Sequence, residues 1–162
     1  MGCHPENQSE DVRRLLIEQI ENTHTNKDWF VPLSEAIDGL SQHQAHYKDS
    51  LGNHSICELV SHITFWNERM LLGLLSKPPK PYDNDNLATF SRYCFEDWPT
   101  TVSKADSVQD ALSKALENAT EDQIHNWSTS MANMTAHVAY HTGQIVLIRK
   151  TNKWWDQSKG VQ

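Results

Sequence analysis

Residues 134–148 are the stretch that most constrains the fold of this 162-residue chain. At helical spacing, His137, Val138 and His141 lie on one face among apolar residues, so we expect that face to be buried. Side chains four apart on a helix have Cβ atoms about 5–6 Å from each other, so both imidazoles can reach one ion. Because an unpaired buried polar group costs about 1–3 kcal/mol, the pair needs partners. We expect the fold to bring a third histidine to the pair and to hold a divalent metal there.

Apolar stripes at helical spacing recur elsewhere in the chain and predict an all-α fold. The predicted long helices cover residues 10–24, 56–75, 107–120 and 130–150, with a short helix at 33–40. Ser55 and Glu58 form a capping box at the start of the second long helix. No stretch shows the alternation of a strand. The chain is therefore predicted to form a single four-helix bundle domain over residues 1–162, with a disordered lead-in at 1–9.

The segment between the second and third long helices is unusually long for a link in a compact domain. Residues 77–103 begin with a proline-rich turn and include a part, 87–93, that is predicted to be helical. A linker of this length is usually functional or packed over an opening. It also predicts a crossover connection in the bundle.

Other histidines are weighed against the pair at 137 and 141. His62 falls on the edge of the buried side of the second long helix, where a single inward histidine is more often a hydrogen-bonded core residue than a ligand. His43, His46 and His54 lie in a polar stretch, 41–54, that is predicted to be a loop. They lack ligand spacing on a helix face, so we interpret them as solvated.

Composition excludes several classes of function. The chain has 14 Lys and Arg against 21 Asp and Glu and no basic stripe, which argues against nucleic acid or an anionic membrane as a partner. The apolar run 71–75 is too short to span a bilayer, and the N-terminus lacks the apolar core of a signal peptide. We therefore expect a cytoplasmic protein.

The cysteines predict neither a disulfide framework nor a cysteine zinc site. Cys3, Cys57 and Cys94 are odd in number and include no Cys-x-x-Cys pair. Cys57 lies near the start of an amphipathic helix, and we interpret it as a buried structural thiol.

Two motifs resemble the DinB/YfiT-like superfamily. They are N-H-S-I-x-E-L-x-x-H-I-x-x-W over residues 53–66 and H-x-x-Y-H-x-G-Q-I over residues 137–145, and the similarity includes the Asp97-Trp98-Pro99 turn and the Trp-rich tail. The resemblance implies a four-helix bundle in which His62, His137 and His141 bind a divalent metal, with water completing the shell. Members often carry Asp after the first histidine of the pair, whereas this chain has Val138, so a role for that acid does not carry over.

Three neutral imidazoles with an open position suit Zn²⁺ or Ni²⁺ first, with Fe or Mn as alternatives. A hemerythrin-type di-iron site needs bridging carboxylates that the chain does not offer, and a zincin needs Glu within the His pair. Haem ligation fits poorly because both histidines lie on one helix face. A serine hydrolase would need a nucleophile elbow, which is absent from the sequence.

The resemblance implies a metal-dependent enzyme, for example a thiol S-transferase that joins a bacillithiol-like thiol to an electrophile, or a hydrolase. Its partners would be a small thiol, an electrophile and a second copy in a homodimer, and the loops around Trp29, Trp66 and Trp98 would wall the pocket. The alternative is a non-catalytic, stress-associated bundle protein whose metal is structural or vestigial.

Three further residues keep two interpretations each. Gly143 can serve helix packing or the approach of a ligand. Gln144 can orient a ligand or bond a neighbouring loop. Glu58 can pair with His62, although its capping box is the preferred interpretation.

Overall fold

The computed structural model describes residues 5–160, and every regular element in that range is a helix. The all-α bundle predicted from the sequence is confirmed. Four long helices build it: α1 (Pro5–His24), α4 (Ile56–Leu74), α6 (Trp98–Glu117) and α7 (Glu121–Thr151). The shorter elements are α2 (Leu33–Ile37), α3 (Gln42–His46), α5 (Ala88–Ser91) and a 3-10 helix at Gln157–Lys159. No helix within residues 5–160 is long and apolar enough to cross a membrane.

The long helices pack so that α4 and α1 each contact both α6 and α7. Cys57 Sγ lies 3.7 Å from Thr101 Oγ1, which places the starts of α4 and α6 together and makes these helices parallel. The link between them therefore returns along the bundle, as the crossover prediction requires. In contrast, Gln123 near the start of α7 donates to the Leu74 carbonyl at the end of α4, so α4 and α7 are antiparallel.

Several helix ends differ from the prediction. Helix α1 begins at Pro5, so residues 5–9 are helical, whereas residues 1–4 of the predicted disordered lead-in lie outside the described residues. Helix α6 begins nine residues early because the Asp97 carboxylate accepts from the Thr100 N–H, with a proline in the first turn. Helix α7 also begins nine residues early, at a capping box formed by Thr120 and Gln123.

The core consists of two hydrophobic clusters along the bundle. One, near the start of α4, contains Ile63 and Val138, and the other, near its end, contains Leu74 and Met131. Gly73 belongs to the second region, where a Cβ at this position would clash with the ring of Trp127. The glycine thus allows the two helices to approach closely.

Cys57 and Cys94 form a disulfide, with 5.2 Å between their Cα atoms. The prediction of a free structural thiol at Cys57 was therefore wrong, although the residue is fully buried as expected. Fold topology decides the pairing: the link after α5 runs back to the start of α4, and it brings together two cysteines that are 37 residues apart.

Hydrogen bonds also fix the returning link to the bundle. Ser61 Oγ on α4 donates to the Thr89 carbonyl and accepts from the Tyr93 N–H. Thr101 Oγ1 on α6 donates to the Tyr93 carbonyl and accepts from the Phe95 N–H. These bonds hold α5 beside the middle of α4, where His62 lies.

Candidate metal centre

Three histidines from two helices meet where the two core clusters join. His62 comes from α4, and His137 and His141 come from consecutive turns of α7. One ring nitrogen of each residue lies within 4.8 Å of the others, a group that could hold a metal ion. His62 Nε2 and His137 Nε2 are 3.1 Å apart. The structure thus brings together the three residues that the sequence motifs select.

Hydrogen bonds fix the orientation of two of the rings. Thr89 Oγ1 donates to the Asn86 carbonyl and so accepts from His62 Nδ1–H at 2.6 Å. Gln144 Oε1 accepts from His141 Nδ1–H, also at 2.6 Å. In both rings Nε2 is then left with a lone pair. A polar partner on the far nitrogen is the arrangement that orients metal-bound histidines.

The surroundings keep the imidazoles neutral. Burial, followed by the nearby His141 and His137, lowers the pKa of His62 to about 3. Burial, followed by His141, lowers the pKa of His137 to about 4. Burial also lowers the pKa of His141, against the opposing effect of its bond to Gln144. Near pH 7 all three rings therefore carry the lone pairs that a cation needs.

The three rings line a cavity of about 500 Å³. Its apolar wall consists of Trp66, Met70, Phe90 and Met134. The polar part of its wall consists of neutral side chains, namely Asn86, Ser130 and Asn133. Besides the histidines, none of the described residues that line the cavity is ionisable.

Phe90 from α5 closes one side of the centre. Its ring stacks on His62 with centroids 4.0 Å apart and on His54 with centroids 3.7 Å apart. His54 was predicted to be solvated, but one face of its ring is covered by Phe90. The stack explains why the position of α5 matters to the centre, since α5 supplies both Phe90 and the Thr89 hydroxyl.

The sequence profile of one protein family, the DinB superfamily, matches residues 32–145, more than two thirds of the chain. This chain belongs to the DinB superfamily. The search of curated proteins and the search of solved structures each found no match. The matched range contains all three candidate ligands, His62, His137 and His141.

The donor set of this DinB protein fits a divalent metal ion. Three neutral imidazole nitrogens, two with fixed tautomers, suit late first-row ions, and three protein ligands leave a coordination position for a substrate or water. No carboxylate or thiolate of the residues that the structure describes belongs to the centre or lines its cavity. The ligand chemistry therefore leaves the identity of the metal open among the ions that imidazole prefers.

Only one of the three tryptophans expected to wall the pocket does so. Trp66 lines the cavity, whereas Trp29 is 93% exposed and Trp98, the first residue of α6, is buried in the first core cluster. The prediction was wrong for Trp29 and Trp98 because aromatic character alone does not show which way a loop turns. Thr89, Phe90 and Asn133 contact the histidines or line the cavity, and the sequence did not single them out. The one signal for Thr89 and Phe90 was the unusual length of the link and its predicted helix at 87–93.

The structure also shows which contacts are made at Glu58, Gln144, Gly143 and Val138. Glu58 closes its capping box with Ser55 and pairs with Lys48, so the preferred interpretation is confirmed. Gln144 orients His141 and contacts no neighbouring loop through that oxygen. A Cβ on Gly143 would meet nothing within 4 Å, so helix packing does not require a glycine there. Val138 is buried in the core cluster and points away from the cavity lining.

Proposed function

We propose that this DinB protein is a metal-dependent enzyme in which His62, His137 and His141 hold Zn²⁺ or Ni²⁺ and in which a small thiol reacts with an apolar electrophile. The observation that carries the proposal is the cavity itself. Three convergent neutral imidazoles open into about 500 Å³ of space, and no other ionisable side chain among the described residues lines it. An apolar cavity with a few convergent polar groups is the usual form of a small-molecule site.

The lining indicates which chemistry the protein supplies and which it leaves to the ion. No Asp, Glu, Lys or Arg lines the cavity, so the described residues provide no carboxylate base for a thiol or water. A bound divalent ion supplies Lewis acidity, which lowers the pKa of a coordinated thiol or water toward neutrality. Hydrolysis is therefore the related activity that the same centre would support.

The chain's own residues would position the reactants. Thr89 and Gln144 hold the His62 and His141 rings in place, so little reorganisation is needed when an ion enters. Trp66, Met134 and Phe90 offer apolar surface to an electrophile and exclude water from it. Asn86 and Asn133 can orient polar atoms without adding charge. These features favour an uncharged, partly aromatic or aliphatic electrophile.

The test is an activity screen on protein purified without a histidine tag and analysed for bound metal. Metal-loaded protein is expected to catalyse conjugation of a small thiol with an apolar electrophile, and His137→Ala is expected to lose both metal and activity. His125→Ala is the matched control because His125 lies exposed on the same helix. Turnover by metal-free His137→Ala protein at the wild-type rate would refute the proposal.

A structural ion is the competing proposal, and one observation favours it. The ligands come from α4 and α7, so an ion would cross-link two neighbouring helices of the bundle. In that case chelation lowers the melting temperature strongly, and no thiol binds. Calorimetry that shows a small thiol binding only to the metal-loaded protein would favour the enzyme.

Two further expectations stay predictions. The homodimer implied by the family resemblance is tested by sedimentation velocity. The cytoplasmic location is tested by fractionation of the cells that express the protein.

A further inference from the structure

A second cluster of metal-binding atoms lies at the start of α4, away from the three histidines that line the cavity. It contains the disulfide-bonded Cys57 and Cys94 together with His46 from α3. One nitrogen of His46 and the two sulfur atoms lie within 4.8 Å of one another. Cys57 is completely buried, and the other two residues are half-buried.

The His46 ring faces more acceptors than a neutral imidazole can satisfy. Its Nδ1 lies 3.0 Å from the Gln42 carbonyl oxygen, and its Nε2 lies 2.9 Å from the Phe95 carbonyl oxygen. A neutral ring has one N–H, so one of these contacts brings a lone pair against a carbonyl oxygen. When Nδ1–H donates to Gln42, the ring has the orientation of a metal-bound histidine, and its Nε2 lies beside the Phe95 carbonyl oxygen, which is itself 4.0 Å from Cys57 Sγ.

Other contacts would keep the cluster together without the S–S bond. Thr101 Oγ1 bonds both the Tyr93 carbonyl and the Phe95 N–H, which flank Cys94 on either side. Ser61 accepts from the Tyr93 N–H, and Cys57 is anchored within the first turn of α4. Cleavage of the disulfide would therefore leave both sulfur atoms close to His46. The helix start also places positive dipole charge beside Cys57, which favours its thiolate.

We propose that reduction of the Cys57–Cys94 disulfide creates a second metal site, in which the two thiolates and His46 Nε2 bind Zn²⁺. Two molecules of a low-molecular-weight thiol provide the two electrons: the S–S bond breaks, each cysteine sulfur gains a proton, and the two small thiols join in their own disulfide. Zn²⁺ then displaces the two cysteine protons. The fourth tetrahedral position is left to water or to the Phe95 carbonyl oxygen.

The ligand set separates this cluster from the three-histidine centre. Two thiolates and one imidazole select Zn²⁺ and other thiophilic ions, whereas three imidazoles also accept harder late first-row ions. The clusters share no residue, and only this one depends on the redox state of the protein. The proposal therefore stands independently of the proposed enzymatic function.

The test uses Co²⁺ as a spectroscopic probe of the full-length protein, titrated in its oxidised form and after reduction by a phosphine. Thiolate ligation gives a sulfur-to-cobalt charge-transfer band that imidazole ligation does not give. We expect the reduced protein to develop this band with the intensity of one thiolate-ligated ion per chain and the oxidised protein to lack it. A reduced protein without the band would overturn the proposal.

Variants assign the ligands. Cys57→Ser and Cys94→Ser should each weaken or abolish the band, whereas Cys3→Ser should leave it unchanged. His46→Ala should weaken Co²⁺ binding at this site at least tenfold, and His43→Ala, on the same short helix, is the matched control. His46→Asn serves if the alanine variant does not fold. Unchanged affinity in a folded His46 variant, or an undiminished band in Cys57→Ser, would contradict the assignment.

Discussion

His62 and Glu68 are both buried on α4, six residues apart, yet their surroundings have opposite effects on charge. His62 is 4% exposed, and its described hydrogen-bond partners are Thr89 and another imidazole. Glu68 is 8% exposed and contacts Lys80, Lys104 and the Tyr93 hydroxyl. Burial lowers the pKa of His62 to about 3, so the ring is neutral. Burial alone would raise the pKa of Glu68, but the bonds from Lys104, Tyr93 and Lys80 lower it to about 2.

The comparison shows that burial alone does not identify a functional residue. Glu68 is charged, but two lysines already balance that charge, so its carboxylate does not need a bound ligand as a partner. The histidines are neutral, one ring nitrogen of each lies within 4.8 Å of the others, and no cationic side chain of the described residues lines their cavity. We therefore assign a structural role to the Glu68 network, which ties α4 to α6 and to the returning link. For the histidines we propose a binding role.

The largest effect is expected from Glu68→Ala. Removal of the carboxylate leaves Lys104 and Lys80 without their acidic partner. We expect the free energy of unfolding to fall by about 3 kcal/mol, the lower end for a broken buried ion pair, because Lys80 is partly exposed and keeps its bond to the Tyr93 hydroxyl. Urea denaturation of metal-free protein measures it. The exposed Glu96→Ala is the control. A loss below about 1 kcal/mol would place Glu68 among ordinary surface ion pairs.

The next effect is a pH dependence with two separate ranges. For the metal-free protein, the unfolded histidines bind protons below about pH 6.5 and the folded ones do not, so stability should fall as pH decreases from 6.5 toward 4. We expect His62 alone to account for a loss of about 2 kcal/mol between pH 7 and pH 5. The stability from Glu68 is fully present above about pH 4.5 and should be lost as pH falls toward 2.

Variants separate these two ranges. The free energy of unfolding is measured across pH for each protein. Its decrease between pH 6.5 and pH 4 should be much smaller in His62→Gln than in the wild type, and its decrease between pH 4.5 and pH 2 should be much smaller in Glu68→Ala. An identical pH dependence in His62→Gln and the wild type would contradict the assignment of the first range.

The smallest effect is expected from Thr89→Val. This change removes the acceptor of His62 Nδ1–H while keeping the shape of the side chain, and it should weaken Zn²⁺ binding about tenfold. Competition with a chromophoric chelator measures the affinity. Thr100→Val, at an exposed position, is the control. Equal affinities in the two variants would show that Thr89 does not orient the ring.

Local patterns predicted the start of a helix correctly where a capping signal was followed directly by a regular apolar stripe. Ser55 and Glu58 marked the start of α4, and the spacing of His137 and His141 predicted their common helix face. The starts of α6 and α7 were missed although capping signals precede both, because the apolar stripes become regular only later. Residues 98–106 and 121–129 are helical mainly through those caps and through tertiary packing.

The parts of the site that the sequence did not predict depend on long-range contacts. Thr89 meets His62 across 27 residues of sequence, and Cys94 meets Cys57 across 37. Both contacts require the path of the link between α4 and α6, which contains few periodic residues. The resemblance to the DinB family selected His62 as the third ligand, since helical spacing alone places it only at the edge of the buried face.

The central claim is that three neutral histidines are arranged to bind one cation. Its most direct test is the number of protons released when Zn²⁺ binds the oxidised protein at pH 6, obtained by calorimetry in buffers of different ionisation enthalpy. Because the pKa of each ring is lowered, we predict one ion per chain, release of less than one proton, and loss of this binding in His137→Ala. Three histidines of ordinary pKa would release about two protons. Such a release, or unchanged binding in His137→Ala, would contradict the account.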